Sequence, residues 1–239
     1  MYSFRNNTPL PCQKVAITVS KNKAQLIDLI CEDLANHSQE FQHHKLVITG
    51  SLPTPIELYK GISIVHHDMK TTHEQADTIL VQQGAFVQPQ CNMVIADDTD
   101  IFVMLMHFSF HKKIKNVYMA SPVHGRAVLD INASVKDHES ILPNLLAAHS
   151  ITGCYSVGTY HGIGKGAAHR VLKMKKYTCH LGEKDTSLID VYQQCTSFML
   201  ACYKQYSCTS MTDARVKMWS SKVSQVQLML LSFNHFRHN

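Results

Sequence analysis

The apolar residues Leu26, Ile27, Leu29, Ile30 and Leu34 recur at helical spacing, which predicts a helix over Gln25–Leu34 with Ser20 and Asn22 upstream as capping residues. Further along, the period shortens. Lys45–Thr49 is a compact β-favouring run ended by Gly50, and Ile62–Val65 repeats it after a Pro-containing turn, so both are predicted strands. Glu74–Gln83 sets Ala76, Ile79, Leu80 and Gln83 on adjacent helical rows, and the unbroken apolar run Met93–Ala96 predicts a buried strand. Ile101–Phe108 is apolar throughout, as suits a helix packed on a sheet, and Asn116–Met119 predicts another strand. Beyond it the pattern turns helical, with Ile141–Ala148, Ala167–Lys173, and Leu188, Val191, Cys195, Phe198, Met199 and Cys202 at three- and four-residue intervals.

Strands alternating with helices predict an α/β fold, with a mostly parallel sheet flanked by helices and a helical C-terminal section. The expected organisation is an α/β core over residues 15–135 and a helical section over 136–239, packed with the core as one unit. In such sheets chemistry gathers beyond the carboxyl ends of the strands.

Composition narrows the picture only a little. The 239 residues are 45% hydrophobic, enough for a sizeable core, and the formal net charge of +5 at pH 7 permits nucleic-acid binding without requiring it. No apolar run has the length of a secretory signal or a membrane span, so the expectation is an intracellular protein with no membrane association. The 8 cysteines contain no C-x-x-C pair, which favours reduced thiols over a zinc ribbon or a disulfide framework. Most of the 16 histidines lack ligand spacing and are expected at the surface or satisfied in the core.

Three segments carry chemistry. In Val94–Phe102 an apolar strand runs into Asp97, Asp98 and Asp100 just before a helix, where Asp98 and Asp100 are spaced to converge on one hard cation. The same acids would also serve as a helix cap and a complement to its dipole. In Thr72–Thr78, Glu74 and Asp77 share one face at a helix start, either as further carboxylates or as a solvated first turn. The third segment runs from His149-Ser150-Ile151-Thr152-Gly153-Cys154-Tyr155 to His161-Gly162-Ile163-Gly164-Lys165-Gly166-Ala167-Ala168. Its glycines let backbone approach a phosphate before a helix start, with Lys165, Arg170 and Lys173 adding positive charge, or they form an ordinary turn between helices. The spacing is not that of a nucleotide-binding P-loop.

Taken in order, E-x-A-D, A-D-D-T-D, T-G-C and G-I-G-K-G-x-A over residues 72–175 resemble the core of the flap-endonuclease-like, PIN-like nucleases. The match is especially close to proteins of this type in animal genomes, often in mobile-element surroundings. The resemblance implies a PIN-like, Rossmann-like core, a nuclear location compatible with that role, and phosphodiester hydrolysis on DNA with one or two Mg or Mn ions. It makes Asp98, Asp100 and Asp77 metal ligands, with Glu74 as a partial substitute, and assigns Gly162, Ile163, Gly164, Lys165, Gly166 and Arg170 to phosphate binding.

Departures from the family pattern point to a depleted site. Gln75 and Tyr155 stand where the family has acids, and near Gly50-Ser51-Leu52-Pro53, where another family acid belongs, there is none. A tyrosine phenol loses its proton only near pH 10, so Tyr155 cannot serve as an anionic ligand at neutral pH. Of the two family acids that belong upstream, the other has no counterpart position in this chain, which carries the further expectation of a truncated N-terminal part.

Overall fold

The computed structural model describes residues 18–49, 54–70, 76–86, 91–154, 160–175 and 180–235, with Cys12 and Gly158 as isolated positions. It is a mixed α/β protein with two three-stranded sheets. The chain divides into two compact units, Met1–Gln83 and Gly84–Asn239.

The first unit opens with helix α1 (Ser20–Asn36), which starts earlier than its apolar spacing predicts. Val19 occupies the N-cap without a side-chain hydrogen bond, so neither Ser20 nor Asn22 caps the helix as expected. Strands β1 (Leu46–Ile48), β2 (Ile56–Tyr59) and β3 (Ile62–Val65) then form an antiparallel sheet in that order. The predicted Pro-containing turn is therefore mostly strand β2. Lys60 and Gly61 form the hairpin tip, at φ 50° and 77°. Positive φ at both central residues suits the right-handed twist of a two-residue hairpin. Lys60 N–H donates to the Phe41 carbonyl at 3.0 Å and Gly61 N–H to that of Ser38 at 3.2 Å, holding the tip in place.

Leu58 is fully buried, and its neighbour Glu57 is buried as well. Lys45 Nζ lies 2.9 Å from one Glu57 oxygen and His66 Nε2 lies 3.1 Å from the other, so both oxygens of this carboxylate have partners. The hydrogen bond from Lys45 holds the Glu57 carboxyl below the usual glutamate range; burial opposes this, and His66 adds to it. Helix α2 (Ala76–Phe86) crosses from this unit into the second.

In the second unit β4 (Asn92–Ile95) runs into α3 (Thr99–Lys112), which leads to β5 (Val117–Ala120), parallel to β4. A two-residue strand β6 (Leu129–Asp130) pairs antiparallel with β5, so this sheet is mixed. Val94, Val117 and Met119 are buried on one side, while Met93 and Ile95 are exposed, so the expected helical cover on both faces is not seen among the described residues. Helix α4 (Ile131–His138) begins at an Asp130 cap, whose Oδ1 accepts from Ala133 N–H at 2.9 Å. Asn132 ties it to the sheet by donating to Ile114 O at 2.8 Å and accepting from Val117 N–H at 2.9 Å.

Helices α5 (Leu142–Ile151), α6 (Lys165–Lys173), α7 (Leu188–Cys202) and α8 (Met211–His235) complete the unit. Ile141, Ala148, Val171, Leu172, Phe198 and Met199 pack into its main helical core. Burial pushes the Cys202 thiol in this core up to about 11. No disulfide joins the described cysteines. Among the described residues no helix is long and apolar enough to cross a membrane.

Candidate functional site

Strand β4 ends at Ile95, and Asp98 supplies the N-cap of α3 from an extended backbone at φ −104° and ψ 135°. Its Oδ1 accepts from Asp100 N–H at 2.8 Å, which satisfies one of the otherwise unpaired amides of the first turn. The capping role read as one alternative is thus present in the structure. It leaves the second Asp98 oxygen outside this bond. Asp97 is ion-paired with Arg126 from the loop between β5 and β6.

Asp100 reaches the end of α5. His149 Nε2 lies 2.7 Å from Asp100 Oδ1, and its side chain is only 7% exposed. An ionised carboxylate can only accept, so Nε2 carries the hydrogen in this pair. Sequence spacing did not single out His149 as a partner of an acid. Its only signal was its position at the head of the H-S-I-T-G-C segment.

That segment terminates α5. Thr152 Oγ1 donates to Ala148 O at 2.8 Å, and Gly153 adopts φ +98° directly after the C-cap, where a side chain would be strained. The last carbonyls of a helix lack partners within it and carry partial negative charge. Lys165 meets them. Although the residue as a whole is exposed, its ammonium donates to His149 O at 2.9 Å and to Gly153 O, with Thr152 Oγ1 at 3.5 Å. Burial pushes this ammonium below the usual lysine value, and the charges of Asp100 and Cys154 oppose the shift.

The residues expected to hold a phosphate therefore separate into two groups. Lys165 turns inward onto α5, and Ile163 is buried in the helical core. Gly162, at φ +75°, makes the turn, while Gly164 is the N-cap of α6 with no side-chain hydrogen bond. Open space lies where a Cβ would stand on Gly162, Gly164 or Gly166. Arg170 lies on α6 and is exposed.

Beside the Asp100–His149 pair lies a cleft of about 210 Å³ walled by Phe102, Val103, Met106 and Leu145. His138, His169 and Lys165 also line it. The His138 and His169 rings stand 6.0 Å apart. Burial pushes His169 below the usual histidine value, and Lys173 and His138 act in the same direction.

Asp77 lies in α2 on the first-unit side of the division. Glu74, Gln75 and Tyr155, together with 50–53, fall outside the described residues. Among the described residues, no three His, Cys, Asp or Glu side chains are grouped to hold a metal ion. Asp98 and Asp100, each with one oxygen already engaged, are too few to fit a two-ion centre, which needs a dense set of oxygen ligands. Comparisons with family models, curated protein sequences and solved structures each found no match.

Proposed function

We propose that this chain is a nuclease-like protein that binds DNA and whose depleted acidic site no longer supports phosphodiester hydrolysis. The observation that carries this reading is a convergence. The acids after β4 are far in sequence from the T-G-C helix end and the G-I-G-K-G turn, yet the three are joined through Asp100, His149 and Lys165. These are the segments whose order resembles the PIN-like nucleases, and a PIN-like sheet is part of the same proposal. The loss of cutting is supported by the engagement of Asp97, Asp98 and Asp100 by Arg126, a backbone amide and His149.

The start of α6 supports the binding half. Its N-cap, Gly164, brings no side chain of its own to the first-turn amides, and those amides with the positive end of the helix dipole favour an anion such as a DNA phosphate.

The test is binding and cleavage of flap and single-stranded DNA by the full chain, with Mg, with Mn and with a chelator. Salt-dependent binding that survives the chelator, without cleavage, is the expected result. Gly164→Val should weaken binding severalfold while leaving the fold intact, because Gly164 has φ −103° and open space at its Cβ position. Unchanged affinity would remove the phosphate role of this turn. A second reading, weak metal-dependent cleavage, is favoured by one feature: Asp98 and Asp100 still stand just beyond the carboxyl end of β4. Cleavage that appears with Mn and disappears in Asp98→Asn would establish it.

A further inference from the structure

The chain has one tryptophan, Trp219, and it is 68% exposed on helix α8. Large aromatic rings dominate the energetics of binding surfaces, so a lone tryptophan left so open on a helix is informative. Arg215, Trp219 and Lys222 follow one another at four- and three-residue steps and therefore form a single stripe on α8. This stripe borders a groove of about 590 Å³, within the roughly 300–1,000 Å³ range of small-ligand sites.

Tyr160 and Tyr203 contribute to the same groove, and among the described residues no carboxylate lines it. Tyr203 Oη donates to His161 O at 2.8 Å, which holds the segment leading into Gly162 against the end of α7. Burial raises the Tyr203 phenol and the Arg215 charge opposes it; Arg215 lines the same groove. Ala214 is buried and Met211 packs against the helical core, so the first turn of α8 is anchored at the start of the exposed stripe.

We propose that this groove binds an unpaired nucleotide of a single-stranded nucleic acid, its base stacked on Trp219 and its phosphates held by Arg215 and Lys222. The proposal rests on the nucleic-acid reading above and adds a second contact beyond the acidic site. A base requires a π-face and its phosphate a cation, and the stripe presents a ring with a cation on either side. An acidic peptide would satisfy the cations but leave the ring face unused. Tyr160 and His161 lead directly into Gly162, so a strand in the groove passes beside the glycine turn.

Because Trp219 is the sole tryptophan, its fluorescence reports this contact alone. The experiment titrates the full chain, in chelator, with fluorescently labelled oligodeoxythymidine and separately with a labelled duplex, following both tryptophan emission and label anisotropy. Emission should be quenched by the single strand with the same midpoint as the anisotropy change, and less by the duplex. Trp219→Ala should weaken binding roughly ten-fold or more, and Trp219→Phe should recover most of it. Arg215→Ala and Lys222→Ala should each lower the salt slope by about 0.7, the value for one phosphate contact on a single strand.

If anisotropy shows binding while emission stays flat and Trp219→Ala binds normally, this groove is not the site, and the general nucleic-acid reading stands. Absence of binding to strand and duplex alike overturns both. Equal binding and quenching by the duplex overturns the assignment to an unpaired base.

Discussion

The two sheets are the same size, yet their connections give them different characters. Between β2 and β3 only Lys60 and Gly61 intervene, and so short a link permits only antiparallel pairing. Between β4 and β5 lies the 14-residue helix α3, long enough to return the chain to the same end, and the pairing is parallel. Charge follows connection. The first sheet encloses Glu57 between Lys45 and His66, so its buried acid is consumed by structure. The second releases its acids at a strand end, where they can be presented beside a helix start. A strand that hands over to a helix leaves side chains at its carboxyl end, an opening that a hairpin does not offer.

The largest effect expected from breaking this contrast comes from Phe198→Ala. Phe198 is 1% exposed in the helical core, and its truncation should cost about 3–5 kcal/mol. Hydrogen exchange resolved by segment should show lost protection in α5–α8 while β1–β3 keep theirs. Equal loss in both would mean that the two units unfold as one.

Lys165→Met should come next, destabilising the α5–α6 junction by about 1–2 kcal/mol because the carbonyls of His149 and Gly153 lose their charged donor. Chemical denaturation measures it. A stabilised variant would mean that burying the ammonium costs more than its hydrogen bonds return.

Asp98 separates capping from metal chemistry. Asp98→Ala should cost about 1 kcal/mol, whereas Asp98→Asn, an equally good cap, should leave stability nearly unchanged. A fall in Mn affinity on Asp98→Asn, without a fall in stability, would identify a ligand role distinct from the cap.

The smallest effect concerns pH in the first sheet. Glu57 titrates below the ordinary glutamate value in the folded chain, so its contribution is fully present above that ordinary value and is lost as pH falls through the depressed one. Protection of β1–β3 amides should therefore drop on acidification. Glu57→Gln should flatten that acid limb, and an unchanged limb would show that Lys45 and His66 do not set it.

Periodicity made much of the fold legible because the apolar faces are continuous: β3, β4, α3, β5 and α5–α7 all lie close to their predicted positions. The strand β2 was hidden by Pro55 and by Glu57, a charged residue at a buried position that makes sense only once Lys45 and His66 are beside it. Parallel order failed for the first sheet because apolar runs specify strands and not their direction. At the site, the acids after β4 could be read from the sequence, since a strand running into carboxylates is a local signal. The Asp100–His149 and Lys165–Gly153 links could not, because they join residues 49 and 12 positions apart whose spacing obeys no short motif. Arg126 was equally silent, being one basic residue in a loop until it meets Asp97.

Lys165 also bears on how the glycine turn responds to its surroundings. Loops that gather carbonyl oxygens around a dissolved cation loosen when that cation is diluted, exchanged or sequestered. Here the positive centre among the carbonyls of His149 and Gly153 is covalently part of the chain, so its local concentration is fixed by a side-chain tether. No chelator can strip it, and no competing ion needs to be excluded. The junction between α5 and α6 should thus keep its shape across changes in ionic composition that would reorganise a loop built on a borrowed ion.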